Sequence, residues 1–80
     1  MSHIVTSVEP LSDFYLRVTF AEGETKLYDI SPWFDIVPAF QALRDTPGLY
    51  ETVAVESDGS GIHWNEALNL SSEELFEGGF

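Results

Sequence analysis

The sequence predicts an α+β domain: a small antiparallel sheet in the order β-β-β-α-β-β-α, with short helices packed on one face or end. Three observations predict it. Phe14, Leu16, Val18 and Phe20 alternate with Tyr15, Arg17 and Thr19, the period of a half-buried strand. The proline-bounded middle, Ser31 to Gly48, loses that alternation. Ser71-Ser72-Glu73-Glu74 ahead of Leu75 and Phe76 opens a terminal helix.

His3 to Val8 is a short β-prone run that Pro10 ends, and Leu11-Ser12-Asp13 turns the chain. After the Phe14–Phe20 strand, Ala21-Glu22-Gly23-Glu24 supplies a turn whose glycine tolerates positive φ. Thr25 to Ile30 returns as a third strand with Tyr28 and Ile30 facing inward, completing a meander. Ser31 reads as a helix N-cap followed by Pro32 in the first turn. Pro38 stops that turn and opens a second short helix through Arg44, with Phe40 and Leu43 on one face. Pro47-Gly48 ends it. Val53 and Val55 resume a strand, Ser57 to Gly61 forms a turn, and Ile62 and Trp64 point one way on the returning strand with His63 between them. Ser71 and Glu74 fit a reciprocal capping box, and Gly78-Gly79 terminates the last helix.

Residues 1–80 are expected to form a single domain, since this length supports one core. The 44% hydrophobic content suffices for a globular fold. The chain has no cysteine, which removes disulfides and thiolate metal sites and favours a reducing, cytoplasmic location. No signal peptide and no membrane-length apolar run is visible. Fourteen Asp and Glu face three Lys and Arg, a net charge of −11. That argues against direct contact with nucleic acid or an anionic membrane and for solubility, or for steering toward a basic protein.

His63 has Glu66 three residues on, but no further ligands stand at zinc-motif spacing, so it is expected to be a surface, hydrogen-bonding histidine. Asp29 ahead of Ser31-Pro32 reads as a turn brace. The serines, Ser2 among them, lack a nucleophile-elbow setting, and Gly59-x-Gly61 is too short to cradle phosphate. No cofactor or metal is therefore expected. The adjacent Trp33 and Phe34 cannot both face fully inward from one helical turn. Either one is exposed and anchors a partner, or both lie partly buried under the sheet edge.

The run Phe14-Tyr15-Leu16-x-Val18-x-Phe20-x-Glu22-Gly23-Glu24, then Tyr28-Asp29-Ile30-Ser31-Pro32, Phe40-x-x-Leu43, Val53-x-Val55, Gly61-Ile62-His63-Trp64 and Leu68-Asn69-Leu70-Ser71-x-Glu73-x-Leu75 together resemble the bacterial family catalogued as domain of unknown function 2442 (DUF2442). The resemblance covers nearly the whole chain. It implies a small α+β domain without established enzymatic activity. Some members are thought to be antitoxin-like partners of a small neighbouring protein, and others are fused to a helix-turn-helix, an arrangement not expected in this one-domain chain. Many relatives carry proline soon after the tryptophan and aspartate before the Leu-Ser step, where this chain has Asn65 and Asn69. No catalytic residues carry over.

The leading expectation is a non-enzymatic protein-interaction module for a basic, toxin-like partner, with Trp33, Phe34, His63 and Glu66 as partner contacts. A homo-oligomeric structural domain is the alternative, since small sheets have free edges. A metal-binding or hydrolytic protein using His63, Glu66 and nearby acids ranks last.

Overall fold

Strict alternation in the first thirty residues produces one three-stranded antiparallel sheet in the computed structural model, which describes residues 3–80. Ser2 lies outside the described residues. Strands β1 (Val5–Pro10), β2 (Tyr15–Phe20) and β3 (Thr25–Asp29) lie in the order β1-β2-β3. Leu16, Val18 and Phe20 are fully buried, as is Ile30 on the returning side, where Tyr28 is also buried. The register pairs Glu9 with Arg17 and Leu16 with Tyr28, so the inward rows of adjacent strands coincide.

Strand β2 begins one residue later than the alternation implies. Asp13 and Phe14 both take φ of 62°, a conformation uncommon for side-chain-bearing residues. The twist turns the Phe14 ring edge-on to Phe34 and Tyr50, each 5.2 Å away between centroids. The Phe14 carbonyl accepts from Ile30 N at 3.0 Å, which offsets part of the strain.

The middle folds into α1 (Trp33–Ile36), a 3₁₀ turn at Pro38–Phe40 and α2 (Gln41–Asp45). Ser31 does not cap α1; Pro32 occupies the cap position. The Ser31 hydroxyl instead donates to Asp29 Oδ1 at 2.8 Å, and the Ser31 N–H to the same oxygen at 3.0 Å. Asp29 is thus the turn brace that its position predicts, and its carboxylate outcompetes the helix for Ser31.

The second half forms a second three-stranded antiparallel sheet from β4 (Ala54–Val55), β5 (Gly61–Asn65) and β6 (Leu68–Ser71). The expected hairpin is present, with Ala54 opposite His63 and Val55 opposite Ile62. Strand β6 is an addition to the expected pair, and it buries Leu68 and Leu70. Helix α3 (Ser72–Gly78) follows and lies against β3, β5 and β6, so it spans both sheets. Its capping box is half-formed. Glu74 N donates to Ser71 Oγ at 3.2 Å, but the Glu74 carboxylate accepts from Tyr28 Oη at 2.6 Å rather than returning to Ser71.

Both sheets share one core that takes in Phe20, Ile30, Leu43, Ile62, Trp64 and Leu75. Two hydrogen bonds tie it across the chain. The Trp64 indole donates to the Tyr50 carbonyl at 3.0 Å, and the Tyr50 hydroxyl donates to the Tyr15 carbonyl.

Gly61 is required by contact rather than by φ. A Cβ there would sit 2.1 Å from the Leu70 carbonyl oxygen, inside the β5–β6 ladder. Gly23 has φ of +98° but open space around it. Gly61→Ala should therefore cost about 2–3 kcal/mol and Gly23→Ala about 1–2 kcal/mol, read by urea unfolding. Equal or reversed costs would contradict the close approach at Gly61.

Candidate functional site

Inward-facing Ile62 and Trp64 force His63 onto the outer face of the second sheet. Asn69 stands directly opposite it on β6. Glu56, just past the end of β4, is its diagonal neighbour across the hairpin. A register shift between His63 and Asn65 sets two residues of β5 against one of β6, a bulge that bends the hairpin at its tip. The result is an open concavity of about 370 Å³ lined by Glu56, His63, Asn65, Glu66 and Asn69.

Two of these side chains are locked by the turn. Asn65 Oδ1 accepts from Ala67 N at 2.9 Å and Leu68 N at 3.0 Å, and Asn69 Nδ2 donates to the Glu66 carbonyl at 3.1 Å. These bonds fix which end of each amide is which. A proline at 65 would lack the turn-bracing oxygen, and an aspartate at 69 would lack the donor.

His63 Nδ1 stands 2.7 Å from Glu56 Oε1, misaligned for a linear hydrogen bond and otherwise sealed from solvent. The sequence placed His63 with Glu66 and without a visible partner. The structure keeps both in the concavity but makes Glu56 the histidine's close neighbour, together with Asn65 and Asn69. Hairpin register, counted outward from Ser57–Gly61, is the signal that would have found Glu56. Among the described residues, no three His, Asp or Glu side chains converge closely enough to hold a metal ion.

The other two expected contacts lie elsewhere. Phe34 is buried in the core, and Trp33 is partly buried against it. Of the two expected arrangements, burial of both is the one found, complete for Phe34 and partial for Trp33. Phe34 packs on Phe14, while Trp33 stacks on Phe40 at 5.2 Å and donates its indole N–H to Tyr28 Oη at 2.9 Å. Adjacent residues find separate neighbours because α1 is a single turn wedged between α2 and the Phe14 corner. Among the described residues, the large apolar side chains that do stand out are Ile4, Ile36 and Phe80.

The surface field follows from pairing. Arg17 pairs with Glu9, Arg44 with Asp45, and Lys26 donates to the Phe76 carbonyl at 2.7 Å with its ammonium over the Phe76 ring. Among the described residues, Arg or Lys ion pairs therefore engage only Glu9 and Asp45 of the 14 carboxylates. Most of the remaining carboxylates are exposed. No described helix is long and apolar enough to cross a membrane.

The family model described as Protein of unknown function (DUF2442) matches residues 5–80, and the chain belongs to that family. No curated protein and no solved structure gave a significant match.

The Trp33–Tyr28–Glu74 network has a measurable consequence. Burial, with the hydrogen bond to Glu74 next, pushes the Tyr28 phenol from 10.0 up to about 12. Burial raises Tyr50 as well, with the charges of Glu51 and Asp29 adding to it. The unfolded chain deprotonates first, so the stability held by Tyr28 is intact below pH 10 and is lost as pH rises from 10 to about 12. Alkaline titration of ring-labelled tyrosine should show Tyr28 ionising late, and Glu74→Gln should bring it earlier. An unchanged Tyr28 midpoint in Glu74→Gln would refute the network.

Proposed function

We propose that this DUF2442 member is a non-enzymatic interaction module whose partner is a basic protein. One observation carries the reading: every Lys and Arg side chain is engaged within the fold, while most carboxylates point outward without a cationic partner. Such a surface attracts cationic partners over a Debye length and repels nucleic acid. The same charge makes two copies repel each other, which places the homo-oligomeric alternative second. The outer face of the second sheet supports the reading locally, because Glu56 and Glu66 bring two carboxylates to one concavity. The antitoxin-like pairing thought to occur among relatives is one form of this function, and the cytoplasm is its natural setting in a cysteine-free chain.

Affinity capture from the source cells, with elution along a salt gradient, tests this. A specifically retained protein of basic isoelectric point is expected, released between about 0.2 and 0.5 M salt as exposed charge is screened, and lost from a Glu56→Gln/Glu66→Gln double variant. Retention only of neutral or acidic proteins, indifferent to salt, would contradict the proposal.

A further inference from the structure

We infer that the concavity between Glu56 and Asn69 is a seat for one arginine side chain of the basic partner, and that it discriminates against lysine. This deepens the preceding reading and rests on it. The inference comes from which groups the fold leaves free. Asn65 spends its amide oxygen on the Ala67 and Leu68 N–H groups, and Asn69 spends its amide nitrogen on the Glu66 carbonyl. The acceptors left over among the lining residues are the Asn69 amide oxygen, the Glu66 carboxylate and the second oxygen of Glu56, beside the half-exposed His63 ring. None of these makes a further hydrogen bond within the described residues.

The set contains two carboxylates and a neutral amide oxygen. A guanidinium presents five N–H donors in a plane and no acceptor, so it can serve several of these acceptors at once. It also lies flat on an aromatic ring, which the half-exposed His63 offers. An ammonium is a compact point charge with three donors and cannot span separated acceptors in the same way. The amide N–H groups left free at Asn65 and Asn69 have no use for a guanidinium and would suit a backbone carbonyl of the same partner segment. The volume of about 370 Å³ falls within the usual range for a ligand pocket, roughly 300–1,000 Å³. Backbone bonds at both asparagines fix the lining in advance, so little ordering is left for binding to impose.

The test uses two synthetic peptides, Gly-Arg-Gly-Arg-Gly and Gly-Lys-Gly-Lys-Gly, titrated into the full chain at low salt and followed by nitrogen–proton correlation spectra. The arginine peptide should saturably shift the Asn65 and Asn69 side-chain amides and the His63 ring, and should bind roughly tenfold more tightly than the lysine peptide. Glu66→Gln should remove most of that preference, and Glu56→Gln should weaken it. Glu77→Gln, on the exposed side of α3, should leave it unchanged. The spectra themselves report whether each variant is folded. Equal binding of both peptides with shifts spread over the acidic surface would overturn the arginine seat while leaving the basic-partner reading intact. Binding of neither peptide would overturn both.

Discussion

The seat of Trp64 is the constraint on which the rest of the molecule depends. Its indole is buried between Tyr50 and Phe40, and its N–H is satisfied by the Tyr50 carbonyl. A buried indole donor left unpaired costs about 1–3 kcal/mol, so the hydrogen bond is a condition of burying the ring at all. Once Trp64 is fixed, the register of β5 is fixed with it. A slip of one residue would turn Trp64 to solvent and His63 into the core. Tyr50 passes the constraint on, because its hydroxyl reaches the Tyr15 carbonyl at the start of β2. This aromatic relay acts with helix α3 and the Val5 N–H bond to the Gly59 carbonyl to hold the two sheets in one arrangement.

The outer face of the second sheet is the complement of that core. His63 is outward because Ile62 and Trp64 are inward, and Asn69 is outward because Leu68 and Leu70 are inward. The bulge between His63 and Asn65 then bends the tip, and the Asn65 side chain closes the turn that carries Glu66. Nothing in the core requires Glu56 or Glu66 to be acidic. Their charge is free to serve recognition, whereas Asp29 and Glu74 are committed to a turn and to Tyr28.

Local patterns were legible in the sequence, and long-range competition was not. The β2–β3 hairpin follows from alternation and a turn, both confined to fifteen or so residues. The β4–β5 hairpin and the Asp29 brace are local in the same sense. Strand β6 is not legible in the sequence because Leu68-Asn69-Leu70 is too short to stand out, and becomes a strand only beside β5. The reciprocal capping box failed because Tyr28, 46 residues from Glu74, competes for its carboxylate. Trp33 and Phe34 posed a choice that helix periodicity cannot make; the core took Phe34, and Tyr28 gave the Trp33 indole a partner. At the site, His63 and Glu66 were visible by spacing, whereas Glu56 comes from the other strand of the hairpin and needs the register to be known.

The proposed recognition surface is the His63 face, with its carboxylates and amides. In chemical-shift mapping of the labelled chain bound to its own captured partner, the largest perturbations should cluster at Glu56, His63, Asn65, Glu66 and Asn69. Perturbations centred instead on α1 near Ile36, or on the tail at Phe80, would contradict it.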